Sequence, residues 1–242
     1  MNDEEILKCS SLVKEVSPSF TLGSIDISIK NGETVALIGP NGAGKTTLFQ
    51  LITGNSDPTT GEISYKSERF RPEHFDTKRN FGYLSQDIAL PQWVTPKELL
   101  NYSASLHNLK NKQQVIDEQI DLWDISPFLN RPVASCSHGM KKRAGLATAL
   151  LHDPDFLILD EPFAGLDILH INSLKKTIKD RANRNKSCII STHILPYASE
   201  ICSRALIIRK GSVTEIETWS DLDYTKQQST IENYFFPRDE NT

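Results

Sequence analysis

The stretch TVALIGPNGAGKTTLFQLIT, residues 34–53, decides how this chain is read. Residues 34–38 are a continuous apolar run, the pattern of a strand buried on both faces. The next eight, Gly39-Pro40-Asn41-Gly42-Ala43-Gly44-Lys45-Thr46, fit G-x-x-x-x-G-K-[ST], and a helix is predicted over 46–53. Strand, loop and helix in that order are the setting the motif requires. Its glycines let backbone N–H groups converge on phosphates. Lys45 places a positive charge between the terminal phosphates, and the Thr46 hydroxyl is positioned for Mg²⁺. The helix N-terminus adds a field that favours an anion. Residues 39–46, with Thr47 beside them, are therefore the candidate triphosphate-binding residues.

Working outward, 242 residues suffice for one large domain or a core with an inserted subdomain. The chain is 38% hydrophobic and 24% charged, ordinary for a globular protein. A net charge of −4 gives no global electrostatic case for nucleic acid, and no nucleic-acid partner is expected. No apolar run reaches spanning length. The N-terminus MNDEEILK is acidic and lacks the basic-then-apolar order of a signal peptide, so a cytoplasmic location is expected. Cys9, Cys136, Cys188 and Cys202 form no C-x-x-C pair, and read as reduced, mostly buried thiols.

Alternation marks strands at residues 25–29 and 62–65. Apolar runs mark buried strands at 81–84, 156–159, 188–190 and 206–208. Helical stretches separate several of these runs, which is the pattern of a parallel sheet built from crossovers. Between 88 and 152 the strand pattern gives way to helices. Thr95-Pro96-Lys97-Glu98 is a capping box with proline at the first helical position, predicting a helix to about His107. Further helices are predicted at 115–123, 139–152 and 168–184. The expected organisation is a nucleotide-binding core from 1–87 and 153–218, a helical subdomain at 88–152 and a tail at 219–242. In the tail, Ile231 and Tyr234-Phe235-Phe236 read as the apolar side of a docked helix.

A buried strand ending in Asp160, followed by Glu161, supplies a metal-binding carboxylate and a second carboxylate to orient or deprotonate an attacking water. Gln86 follows the strand at 81–84, where its amide can reach the metal or the water. His193 follows the strand at 188–190 and is a candidate contact to the γ-phosphate. Upstream, Cys136-Ser137-His138-Gly139-Met140 opens a helix. Ser137 offers a hydroxyl and Gly139 an unhindered N–H, both donors for phosphate at a helix N-terminus. Lys141, Lys142 and Arg143 in that helix either answer a nearby anion or are solvated surface charges.

The order of phosphate loop, Gln86, the turn at Ser137, Asp160-Glu161, Ala164-Gly165-Leu166-Asp167 and His193 resembles the ATP-binding-cassette ATPases over nearly the whole chain. The resemblance implies an α/β fold: a P-loop NTPase core, a mostly parallel sheet flanked by helices, an N-terminal antiparallel β portion and an inserted helical subdomain. It implies ATP and Mg²⁺, the metal held by Thr46, Gln86 and Asp160. It also implies that Glu161, His193 and Gln86 act in hydrolysis. The turn at Ser137 is similar to the family's signature sequence, usually Leu-Ser-Gly-Gly-Gln. There Ser137 and Gly139 would cover ATP held by a partner cassette packed head to tail, and Asp167 would link the two sites. The implied partners are a second cassette, expected to be an identical chain, and membrane-spanning permease subunits that hold the protein at the inner face of the cell membrane.

The sequence departs from the family pattern at Cys136, His138 and Met140. It departs again near Val16, where counting back from Lys45 places the aromatic residue that usually stacks on adenine; Phe20 is the nearest aromatic downstream. Gly82-Tyr83-Leu84-Ser85-Gln86, Leu90-Pro91, Val94-Thr95-Pro96 and the basic run after Met140 are similar to export-type cassettes. Two other readings remain at this level: a cassette ATPase that remodels a protein or nucleic-acid complex, and a non-hydrolysing regulatory cassette. Asn185-Lys186-Ser187-Cys188 lacks the aspartate of the guanine-reading N-K-x-D.

Overall fold

A computed structural model describes residues 4–216 and 219–235. The chain runs β1 (Glu5–Ser17), β2 (Phe20–Lys30), β3 (Thr34–Ile38), α1 (Lys45–Ile52), β4 (Thr60–Tyr65), β5 (Glu68–Phe70), α2 (Phe75–Lys78) and β6 (Phe81–Leu84). It continues through α3 (Pro96–Leu106), α4 (Lys112–Leu122), α5 (His138–Leu150), β7 (Phe156–Asp160), α6 (Ile168–Asn183), β8 (Ser187–Ser191) and α7 (Leu195–Ile201). It closes with β9 (Arg204–Arg209), β10 (Ser212–Ile216) and α8 (Tyr224–Phe235).

Two sheets form. The larger has the order β10-β9-β3-β8-β7-β6, with every pair parallel except β10 with β9. The smaller, β2-β1-β4-β5, is antiparallel. Period-2 geometry divides the parallel strands between two cores. Val35, Leu37, Ile158, Ile189, Leu206 and Ile208 face Leu48 and Phe49 of α1 and the antiparallel sheet. Ala36, Ile38, Leu157, Leu159, Ile190 and Ile207 face the other way, into a cluster shared with Leu100, Ile116, Trp123 and Leu146 of the helical stretch. Burial on both faces is why these strands are continuous apolar runs rather than alternating ones.

The capping box at α3 forms as the sequence predicts: Glu98 N donates to Thr95 Oγ1 at 3.2 Å and Thr95 N donates to Glu98 Oε2 at 2.8 Å. Between β6 and β7 the described segments are helical: α3, α4, two short 3-10 turns and α5. All four cysteines are free and buried, and burial pushes the Cys9 and Cys188 thiols up to about 12.

One predicted strand needs correction and one strand was missed. The strand at residues 25–29 is only the end of the longer β2, and its partner β1 was not read at all. Within β1 the register shifts between Cys9 and Leu12, and Ser11 adopts φ 47 with its N–H donated to Asp26 Oδ1 at 2.8 Å. A bulge of this kind breaks the alternation that marks a strand.

Candidate nucleotide site

Parallel strands share one carboxyl edge, so side chains that follow β3, β6, β7 and β8 converge there, where ligands of open α/β sheets bind. The loop after β3 carries Gly39–Thr46. A side chain at Gly39 would place its first carbon 2.4 Å from the Ile208 carbonyl oxygen, so only glycine allows β9 so close. Gly44 caps α1 at φ 111, a backbone state open to glycine. Lys45 is 6% exposed and its Nζ donates to Gly39 O at 2.6 Å and Pro40 O at 3.2 Å. Thr47 is half-buried on α1 and does not line the cleft over the loop.

Asp160 ends β7 in register with Ser191 of β8. Its carboxylate is fully buried and doubly held: Thr46 Oγ1 donates to Oδ2 at 2.7 Å, and Ser191 Oγ donates to Oδ1 in a short bond. Glu161 leaves the strand at φ 48, left-handed backbone unusual for glutamate and more so before Pro162. Its N–H donates to Ser191 Oγ at 2.9 Å. The Glu161 carboxylate accepts from His193 Nδ1 on Oε2 at 2.9 Å, while Oε1 is buried without a hydrogen bond, 3.9 Å from Lys45 Nζ. A buried carboxylate oxygen without a donor is costly unless something else meets it.

The cleft over the loop measures about 410 Å³ and is lined by Gly39, Pro40, Asn41, Gln86, Glu161 and His193, among others. Gln86 is exposed at its rim and makes no hydrogen bond to Thr46 or Asp160. Among the described residues no group of three or more His, Cys, Asp or Glu side chains is placed to hold a metal ion. Thr46, Asp160 and Gln86 offer one hydroxyl, one carboxylate and one amide oxygen. That set suits Mg²⁺, which completes its shell with water and substrate phosphate oxygens.

Ser137 caps α5, its Oγ accepting from Met140 N at 3.2 Å, and its own hydroxyl proton stays available. Ser137 is exposed and Gly139 half-buried, and neither lines the cleft over the loop of their own chain. His138, in the place of the first signature glycine, does line it, and its ring lies against the backbone of Gly165.

Lys142 and Arg143, two of the three residues of the basic run, correct the sequence reading. Lys142 is 1% exposed and donates from Nζ to Glu161 O at 3.1 Å. Burial lowers its ammonium pKa, against Asp160, Glu161 and Asp87, which raise it. Arg143 donates to Trp123 O at 3.2 Å and Asp124 O at 2.9 Å, and stacks over Phe128. Arg143 also pairs with the Asp124 carboxylate at 3.1 Å, so neither side chain is a free surface charge. Asp167 caps α6, accepting from Leu169 N and His170 N at 3.1 Å, and these bonds hold its carboxyl below the usual range. It also accepts from His170 Nδ1 at 2.7 Å.

Val16 is 49% exposed at the end of β1 and lines no part of the site. Phe20 stands beside the loop instead, its ring tip 3.3 Å from where a side chain on Gly44 would begin. Sequence reasoning misassigned Lys142 and gave Ser191 no role. Neither carries a local signal, since one acts through burial and the other through strand register.

Comparison with known proteins agrees with this geometry. The ABC transporter family model matches residues 22–164. The uncharacterized ABC transporter ATP-binding protein YxlF of Bacillus subtilis is 34% identical over 92% of this chain and 73% of its own length. The lipopolysaccharide export system ATP-binding protein LptB of Haemophilus influenzae is 32% identical over 86% of this chain and 88% of its own. A solved ATP-binding subunit of an ABC transporter superposes with a TM-score of 0.83 at 26% identity, covering 93% of this chain and 99% of that one.

Proposed function

From the premise that this chain belongs to the ABC transporter family as an ATP-binding ATPase subunit, we propose how its residues divide the work and what they drive. One observation carries the proposal. Thr46, Asp160, Glu161 and His193 meet over Lys45 at one sheet edge, and Glu161 Oε1 is left there without a hydrogen-bond donor.

The Gly39–Thr46 amides and Lys45 bind the triphosphate. Thr46, Asp160 and Gln86 hold Mg²⁺, which when bound offsets charge on the phosphate oxygens. Glu161 orients the attacking water and takes its proton at Oε1. His193 fixes Oε2 by donating from Nδ1 and lines the cleft in which the γ-phosphate would sit. Ser137 and Gly139, which do not line the cleft over their own loop, complete the site of a second copy packed head to tail, with Asp167 at the seam. ATP binds the closed pair better than the open one, and that difference drives the motion.

Among the described residues no helix is long and apolar enough to cross a membrane, which agrees with a cassette that works on separate permease subunits at the inner face of the membrane. A groove of about 450 Å³ between β6, α3 and α5 is the proposed permease contact, with exposed Tyr102 on its wall. The export role in LptB's name and the similar stretches around Gln86 support an exporter.

The test is ATP turnover and size-exclusion chromatography of the wild type and Glu161→Gln. The variant is expected to bind ATP, elute as a dimer with ATP and Mg²⁺, and lose turnover by about 100-fold or more. Undiminished turnover would remove Glu161 from the chemistry. A variant that binds ATP but stays monomeric would remove the paired-site reading.

A further inference from the structure

His170 is a buried titratable side chain, 8% exposed, that the hydrolytic chemistry does not use. It stands in the first turn of α6, which Asp167 caps, and both of its ring nitrogens are engaged. Nε2 lies 3.3 Å from Arg143 Nη1. A guanidinium only donates, so Nε2 accepts and the ring proton is on Nδ1. Nδ1 then donates to the Asp167 carboxylate, 2.7 Å from Oδ1 and 2.8 Å from Oδ2. One imidazole therefore joins α5 to the cap of α6.

Both ends of this link are anchored. Arg143 Nη1 also reaches Asp124 Oδ2 at 3.1 Å and Asp124 O at 2.9 Å, and the guanidinium stacks over Phe128, 4.8 Å from the ring centre. The Asp167 side chain is 63% exposed, yet its carboxylate accepts from two backbone amides as well as from the imidazole. An exposed carboxylate ordinarily samples several rotamers; here a buried chain of contacts fixes one. Two further contacts join the same parts. Lys142 Nζ on α5 donates to Glu161 O, and a side chain on Gly139 would place its first carbon 2.6 Å from Gly165 O. The first turn of α5 thus lies directly on the loop that leads to Asp167.

We propose that His170 is a positioning residue: it locks Asp167 to α5, so that Asp167, Ser137 and Gly139 reach a second copy as one preset surface. This rests on the reading of those three residues as contributions to a partner's site. Because they serve the partner, loss of His170 is felt at the partner's nucleotide and not at the chain's own. A merely structural role would instead slow the chain's own site, or both sites.

The test is turnover by mixed pairs. Two versions of the full chain with different affinity tags would be copurified in ATP, and hydrolysis started with Mg²⁺. The reference pair is the wild type with Glu161→Gln, in which only the wild-type Glu161 acts. With His170→Ala added to the Glu161→Gln chain, the working site takes its partner residues from the altered chain. Turnover is then expected to fall about tenfold, the scale of a misplaced supporting group. With His170→Ala moved to the chain that keeps Glu161, the working site takes them from an intact turn, and turnover should match the reference pair. His170→Asn keeps a donor for Asp167 but is too short to reach Arg143. It should show the same ranking, and it stands in for alanine if His170→Ala does not fold. The reverse ranking, equal slowing of both pairs, slowing of neither, or reference-level turnover for His170→Asn in both pairs would each overturn the proposal. If the reference pair does not copurify in ATP, or copurifies without turnover, the paired-site reading fails first and this proposal falls with it.

Discussion

Ser191→Ala tests whether strand register builds the site. Ser191 is fully buried, and its hydroxyl serves two groups at once, donating to Asp160 Oδ1 and accepting from Glu161 N. Alanine fits the same space and removes both bonds. The bond to Asp160 is charge-assisted and contributes about 1.5–3 kcal/mol. The loss at Glu161 N is smaller, because that N–H keeps a bond to the Ser191 carbonyl at 3.2 Å. The expected destabilisation is about 2–3 kcal/mol, a Tm shift of about 5–10 °C for a chain of this size. Asp160, held then by Thr46 alone, would misplace the metal, and kcat should fall about tenfold or more. The assay is urea unfolding plus steady-state ATPase, run as a cycle with Asp160→Asn. A neutral amide at 160 needs the serine less, so the two changes should be coupled by about 1 kcal/mol or more. Additivity within about 0.5 kcal/mol, or a stability loss smaller than that, would refute the reasoning.

Lys142→Met keeps the length of the side chain but removes its bond to the Glu161 carbonyl. Because desolvating the ammonium offsets most of what that bond contributes, stability should change by about 1 kcal/mol or less, while kcat falls about tenfold with ATP affinity retained; an unchanged kcat in steady-state assays would disconnect α5 from Glu161. The imidazole of His152 stacks on His107 at 3.7 Å, donates from Nε2 to Phe81 O at 3.0 Å, and has a buried Nδ1 without a partner. Burial, with His107 adding to it, lowers its pKa to about 4. The unfolded chain therefore binds the proton more readily; stability is fully present above about pH 6.5 and is lost as pH falls toward 4, by about 2 kcal/mol at pH 5. Urea midpoints from pH 8 to 5 should show that slope, and His152→Gln should flatten it.

The phosphate loop and Asp160-Glu161 were legible because each is contiguous in sequence and set by its own strand. The same locality made the α3 capping box readable. What escaped depends on distant partners. Lys142 sits in a basic run that resembles solvated surface, and only the packing of α5 against the loop after β7 reveals that it is buried. Ser191 matters through the β7–β8 register. Counting residues back from Lys45 led to Val16, because it took no account of the hairpin that brings Phe20 to the loop. That α8 returns to line a cavity beside the loop near Gly42 was equally out of reach of local sequence.

The left-handed backbone at Glu161 has a consequence for the choice of experimental controls. Holding a non-glycine residue in that region before a proline costs on the order of 1–3 kcal/mol. Hydrolysis-deficient variants made at 161 therefore do not share a baseline. Glutamine keeps the Cβ and the same backbone cost as the parent, so a thermal shift on adding nucleotide compares like with like. Glycine releases the constraint but gives up the buried side chain and its bond to His193, so it starts from a different melting point before any ligand is added. For trapping a nucleotide-bound state and for screening ligands by melting temperature, glutamine is the matched reference at this position.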